Sequence, residues 1–193
     1  MLARMVSGLV LAAGLAPAAA LACACCADPG ARFEQVAGLG DWEISQIAAL
    51  SARGPARLYV SACGMECVAG IDTPQDSYDV EMRADENGLT FKMSTGKTAR
   101  GQIVFAWPDA YTWFGTDTNL DARDGAAELY TELRFVGSVT GSGDFAGDGP
   151  SRAELVFSGS GNTCITTRSF DGWMLSVRDE RADYRLFGAV AGE

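Results

Sequence analysis

The sequence contains no histidine. That absence removes the commonest general base, the histidine-dependent serine and cysteine nucleophile systems, and the usual imidazole metal ligand. Positive charge is also scarce: 15 Lys and Arg stand against 25 Asp and Glu, a net charge of −10. A surface of that sign repels nucleic acid and anionic membrane faces, so neither is expected as a partner. Its plainer consequence is solubility. No apolar run reaches the roughly 20 residues that a membrane-spanning helix needs. There is no repeat of fixed period and no sustained strand–helix alternation. Hydrophobic residues still make up 48% of the 193 residues, enough for one packed domain rather than a disordered chain.

What the sequence does have is alternation. Leu129, Thr131, Leu133, Phe135, Gly137 and Val139 fall on one side of an extended chain, and Tyr130, Glu132, Arg134, Val136, Ser138 and Thr140 on the other. A period of two is that of a strand with one face in a core and one largely in water. Similar runs occupy residues 57–62, 78–85, 89–94, 102–107, 153–159, 173–177 and 182–186, with a short aromatic run at 111–114. Turn signals such as Pro108-Asp109 and Gly141-Ser142-Gly143-Asp144 separate them. Asn87-Gly88 joins two of the runs; both residues tolerate positive φ, so the spacing predicts a hairpin with a type I′ turn. The expectation is an all-β, single antiparallel domain over 31–193, a barrel or a sandwich of about 8–10 strands. Closure into a barrel would remove exposed edges. Residues 31–56 are less legible. Asp41 is placed to cap a helix over 42–52, yet Trp42, Ile44, Ile47 and Leu50 fit neither period well.

Residues 1–22 have the form of a secretory signal peptide. Arg4 supplies the positive start, residues 6–15 the apolar segment, and Ala20-Leu21-Ala22 a small-x-small cleavage site. Cleavage there removes one cation and no acid, takes the charge to −11, and leaves a chain beginning at Cys23. Export to the periplasm or beyond the cell is therefore expected. Cys23 at the new terminus also allows a lipid anchor, although Leu21 lies one place later than the usual lipoprotein pattern sets it. Residues 23–30 form a short cysteine-rich tail.

Six cysteines, Cys23, Cys25, Cys26, Cys63, Cys67 and Cys164, are an even number, which in an oxidising compartment points to disulfides. Cys25 and Cys26 are adjacent and are expected to pair with different partners. Cys63 and Cys67 flank Gly64-Met65-Glu66, read as a loop in which a local bridge fits. The competing chemistry is a soft-metal or thiol-redox site. Thiolates and thioethers prefer Cu(I), and Met65 stands between Cys63 and Cys67. The spacing lacks the paired Cys-x-x-Cys of structural zinc.

Asp117, Asn119, Asp121 and Glu128 occupy positions 1, 3, 5 and 12 of a calcium-loop template, so oxygen ligands could surround Ca there. The likeness to an EF-hand loop is confined to these twelve residues. Ala122 stands where the sharp turn wants glycine, and a strand rather than a helix follows. A solvated acidic loop is the simpler account. Gly96-Lys97-Thr98 is not a phosphate loop, since Phe91 occupies the position of the earlier glycine. Residues 137–147 do not fit a dinucleotide fingerprint. Trp107, Tyr111, Trp113 and Phe114 form an aromatic cluster that could stack on a sugar or simply fill a core.

Three functional readings follow. The leading one is an exported, non-catalytic binding or structural module stabilised by disulfides. The second is a Cu(I)-binding or thiol-redox protein using the tail cysteines with Cys63 and Cys67. The third is a carbohydrate-binding module or an enzyme working through Asp and Glu.

Overall fold

The computed structural model describes residues 29–50, 53–118, 128–161 and 170–190. The leader, most of the cysteine-rich tail and Cys164 lie outside the described residues, as do Asn119 and Asp121. The described chain is dominated by antiparallel β-structure with a single α-helix. Its elements are β1 (Arg32–Gly38), α1 (Asp41–Ala48), β2 (Arg53–Leu58), a 3-10 turn (Gly64–Cys67), β3 (Ser77–Asp85), β4 (Gly88–Thr95), β5 (Thr98–Ala106), β6 (Ala110–Asp117), β7 (Leu129–Gly143), β8 (Ser151–Gly161), β9 (Gly172–Arg178) and β10 (Asp183–Ala189). No described helix is long and apolar enough to cross a membrane.

All strand pairings are antiparallel, and eight of the strands close on themselves in the order β2-β3-β4-β5-β7-β8-β9-β10, with β10 returning to β2. The ring is a barrel. β7 makes closure possible because it is 15 residues long. Residues 129–139 pair with β8 along one edge. On the other edge, residues 139–143 pair with β5 and residues 129–134 with β6. β6 therefore leaves the ring as an arm, and β1 pairs along its far side.

The inward residues are those that alternation selects. Leu129, Thr131, Leu133, Phe135 and Val139 are buried, as are Tyr78, Val80 and Met82 on β3, Leu89, Phe91 and Met93 on β4, and Trp173, Leu175 and Val177 on β9. Phe135 is completely buried among Tyr111, Trp107 and Phe157, at centroid distances of 5.7, 6.2 and 6.2 Å. An eight-stranded barrel has room either for its own side chains or for one small ligand. Here side chains fill it. At one end Ile47 and Leu50, from α1 and the residues just after it, meet Tyr111, Leu133 and Phe170, leaving about 10 Å³, space for one water. At the other end Phe145 packs against Tyr78 and Tyr184. The Phe145 loop is pinned there by an Arg100–Asp144 ion pair of 2.5 Å and by Thr73, whose hydroxyl donates to the Asp144 carboxylate.

Local chemistry departs from the sequence reading at two points. The hairpin at Asn87 forms, but its turn is Glu86–Asn87, and no described non-glycine residue has positive φ, so it is not type I′. Asn87 instead donates its backbone N–H to the Asp85 carboxylate. Gly88 is needed for another reason: a Cβ there would lie 2.1 Å from the Phe105 carbonyl oxygen. The helix is capped by Gly40 rather than Asp41, with the Glu43 carboxylate accepting from the Gly40 N–H at 3.1 Å. Asp41 and Glu43 in its first turn still favour the positive end of the helix dipole.

Candidate functional site

Because the barrel interior is full, ligand chemistry must be sought on its outer face. Alternation sends Arg152 and Glu154 of β8, Ser176 and Arg178 of β9, and Asp183 and Arg185 of β10 outward, opposite the buried Ala153, Val177 and Tyr184. Strand register then aligns them. Glu154 stands opposite Ser176, Ser176 opposite Arg185, and Arg178 opposite Asp183. The result is a surface groove in two connected parts that share Ser176, Arg178 and Arg185. One part, about 380 Å³, runs beneath Tyr59 and the Cys63–Cys67 turn. The other, about 450 Å³, reaches Val136, Arg152 and Glu154.

The groove carries three arginines, Arg152, Arg178 and Arg185, against two acids, Glu154 and Asp183. Among the described residues, ion pairs join Arg100 to Asp144, Arg134 to Glu132 and Arg181 to Asp179; none joins Arg152, Arg178 or Arg185 to a carboxylate. Arg185 is held in place by Nε donating to Ser176 Oγ at 2.9 Å and by its guanidinium lying 5.5 Å from the Tyr59 ring centroid. The Arg185 guanidinium, fixed in this way with donors still free, suits carboxylate or phosphate oxygens, and Arg152 and Arg178 line the groove beside it.

Cys63 and Cys67 form a disulfide across the 3-10 turn, with Cα atoms 6.0 Å apart. The Ser61 hydroxyl lies 2.9 Å from Cys63 Sγ. Both sulfur residues line the groove, whereas Met65 packs against the core. Bonded to each other, the two sulfurs present no thiolate to a metal in this state. Among the described residues no three His, Cys, Asp or Glu side chains gather as a metal cluster.

The other sequence candidates are placed as follows. Asp117 is buried, and its carboxylate accepts from the Gly30 N–H at 2.7 Å and the Glu128 N–H at 3.2 Å. It thus ties the start of the described chain to the entry of β7, while Glu128 is exposed. Tyr111 is buried and stacks on Phe135. Trp107 is half-buried and donates Nε1–H to the Asp85 carbonyl at 2.8 Å. Trp113 meets Phe33 edge-on at 4.9 Å, and Phe114 on the opposite face lies under the Arg134 guanidinium at 5.1 Å. The four rings are therefore divided between the two faces of the sheet rather than joined in one platform.

A polar network on the outer face of β7 was not singled out from sequence. The Tyr130 hydroxyl donates to Glu132, and Arg134 Nε donates to the same carboxylate, both at 2.5 Å. Burial, reinforced by Glu132, pushes the Tyr130 phenol up to about 12, and the hydrogen bond to Glu132 raises the Arg134 guanidinium. These residues alternate as any wet strand face does, so no sequence signal marks them. At the β9–β10 turn, backbone N–H groups of Arg181, Arg152 and Ala182 converge on Asp179, the Arg181 bond contributing most, and hold its carboxyl down at about 2. In comparison with known proteins, the chain matches no family model, no curated protein and no solved structure.

Proposed function

We propose that the chain is an exported, non-catalytic binding module that takes an anionic ligand on the outside of its barrel, in the groove of Arg152, Arg178 and Arg185. The observation that carries this reading is the set of three unpaired guanidiniums lining one groove of an otherwise acidic protein. The filled interior supports it by leaving no calyx for an enclosed ligand. Net charge limits the partner's size: a polyanion is repelled by a chain of charge −10, whereas a ligand with one or two carboxylates or phosphates is not. Tyr59, 54% exposed beside Arg185, adds an apolar ring face for a flat or sugar-like body next to the charged group. The Cys63–Cys67 disulfide in the wall of the groove fits an oxidising compartment outside the cytoplasm.

The test uses digalacturonate as an acidic probe and cellobiose as its neutral counterpart, with binding followed by calorimetry. Digalacturonate is expected to bind and to weaken as salt rises, with no binding of cellobiose. The triple variant Arg152→Gln/Arg178→Gln/Arg185→Gln is expected to lose the signal at unchanged melting temperature. Equal binding by wild type and variant would remove the groove as the site. Thiol counting on protein taken from its native compartment addresses the Cu(I) and redox reading: a blocked Cys63–Cys67 pair is expected, and two reactive sulfurs there would favour that reading instead.

A further inference from the structure

The eight-stranded ring has no free edge, but the arm has one. β1 pairs with β6 on one side and with no described strand on the other. The pattern of bonds shows which of its residues face outward. Ala31 accepts from the Asp117 N–H at 2.8 Å, and Leu39 donates to the Asp109 carbonyl at 2.9 Å. In an antiparallel ladder, residues bonded to one neighbour alternate with residues turned away from it. Phe33, Gln35 and Ala37 thus address β6, and Arg32, Glu34 and Val36 direct their N–H and C=O groups at the open edge. The same three residues have exposed side chains, Val36 at 77%.

Apart from the charges of Arg32 and Glu34, this edge lacks the usual guards. It carries no proline, no bulge and no inward-pointing charge. Its two charges are of opposite sign and two residues apart, which is the spacing that complements itself. If a second β1 is laid antiparallel about a two-fold axis at Phe33, Arg32 falls opposite Glu34 of the copy and Glu34 opposite its Arg32. Both pairs lie on one face and at positions whose backbone groups are unspent. Moving the axis to Glu34 would set two carboxylates against each other, so charge selects the register as well as the partner.

We propose that β1 is a docking edge for a second copy of this chain, which joins the two arms into one continuous antiparallel sheet. The partner surface is the same surface, as a two-fold dimer requires. Phe33 would meet its counterpart across the axis while still resting on Gly115, and the ring of each copy would remain intact.

Sedimentation of the processed chain from about 1 µM to about 1 mM, the range in which small interfaces associate, is the test. It is run with and without reductant, so that a dimer linked through the N-terminal cysteines is told apart. A reductant-resistant dimer is expected. Glu34→Arg and Arg32→Glu should each give monomer, because like charges then face each other, and the double variant Arg32→Glu/Glu34→Arg should restore the dimer. Glu34→Pro, which removes the outward N–H together with the carboxylate and spares the bonds to β6, should abolish association with the melting temperature of the monomer unchanged. The proposal is overturned by a wild-type monomer throughout, by a dimer that reductant dissolves, by single variants that still dimerise, or by a charge swap that fails to restore association.

Discussion

The ring and the arm are built from the same kind of strand, yet they solve the edge problem in opposite ways. In the ring every strand has two partners, both ends are filled by side chains from α1 and the Phe145 loop, and the interior is continuous aromatic and aliphatic packing. In the arm, β6 has two partners and β1 one among the described strands, and β1 is held mainly by the ladder, by Phe33 set on Gly115 against Trp113, and by Ala37 against the core. Stability is concentrated where closure is complete, and an accessible edge is left where it is not. That division assigns folding to one part of the molecule and association to the other.

The contrast is broken most forcefully from inside the ring. Phe135→Ala removes the side chain on which Tyr111, Trp107 and Phe157 converge. It should cost about 3–5 kcal/mol in denaturant melts, and a loss under 1 kcal/mol would mean that the interior is not close-packed. Gly115→Val acts on the arm alone. Its Cβ would enter the Phe33 ring, 2.4 Å from the nearest ring atom, at an overpacking cost of about 1–3 kcal/mol. Amide exchange should accelerate in β1 while the ring strands stay protected; equal acceleration in both would show that arm and ring unfold as one unit. The smallest effect concerns how the ring is tied at its β9–β10 turn. Asp179 has its pKa lowered to about 2 by backbone N–H groups, against about 3.9 in an unfolded chain. Its contribution is therefore present above about pH 4 and lost as pH falls toward 2, because the unfolded chain takes up the proton first. Asp179→Ala should lower the melting temperature at neutral pH and flatten its decline between those values. A parallel decline in both proteins would assign the acid sensitivity to other carboxylates.

Much of the ring was legible because its strands are wet on one face. Period-two alternation located β3, β4, β7, β9 and β10 within a few residues, and it set Leu133 and Phe135 on the same side of β7 as Leu129 and Val139, the side that is buried. The arm was harder. β1 (RFEQVAG) buries little on either face, so its side chains carry no alternating signal. The helix after it buries chiefly Ile47, too little for a helical period to stand out. Of the cysteines, Cys63 and Cys67 are brought together as a local bridge. The groove was illegible for a different reason: Arg152, Arg178 and Arg185 each look like an ordinary outward residue of an ordinary strand, and their meeting depends on how three strands are aligned.

By itself the sequence determined the class of object: antiparallel strands, an inward set of large apolar side chains and an acidic composition. These follow from side-chain alternation and composition, which are properties of each segment alone. Only the tertiary structure decided that eight strands close while two do not, that the interior is filled, and that three arginines share a groove. Register, closure and cross-strand neighbours are relations between segments distant in the chain, and no local period encodes them.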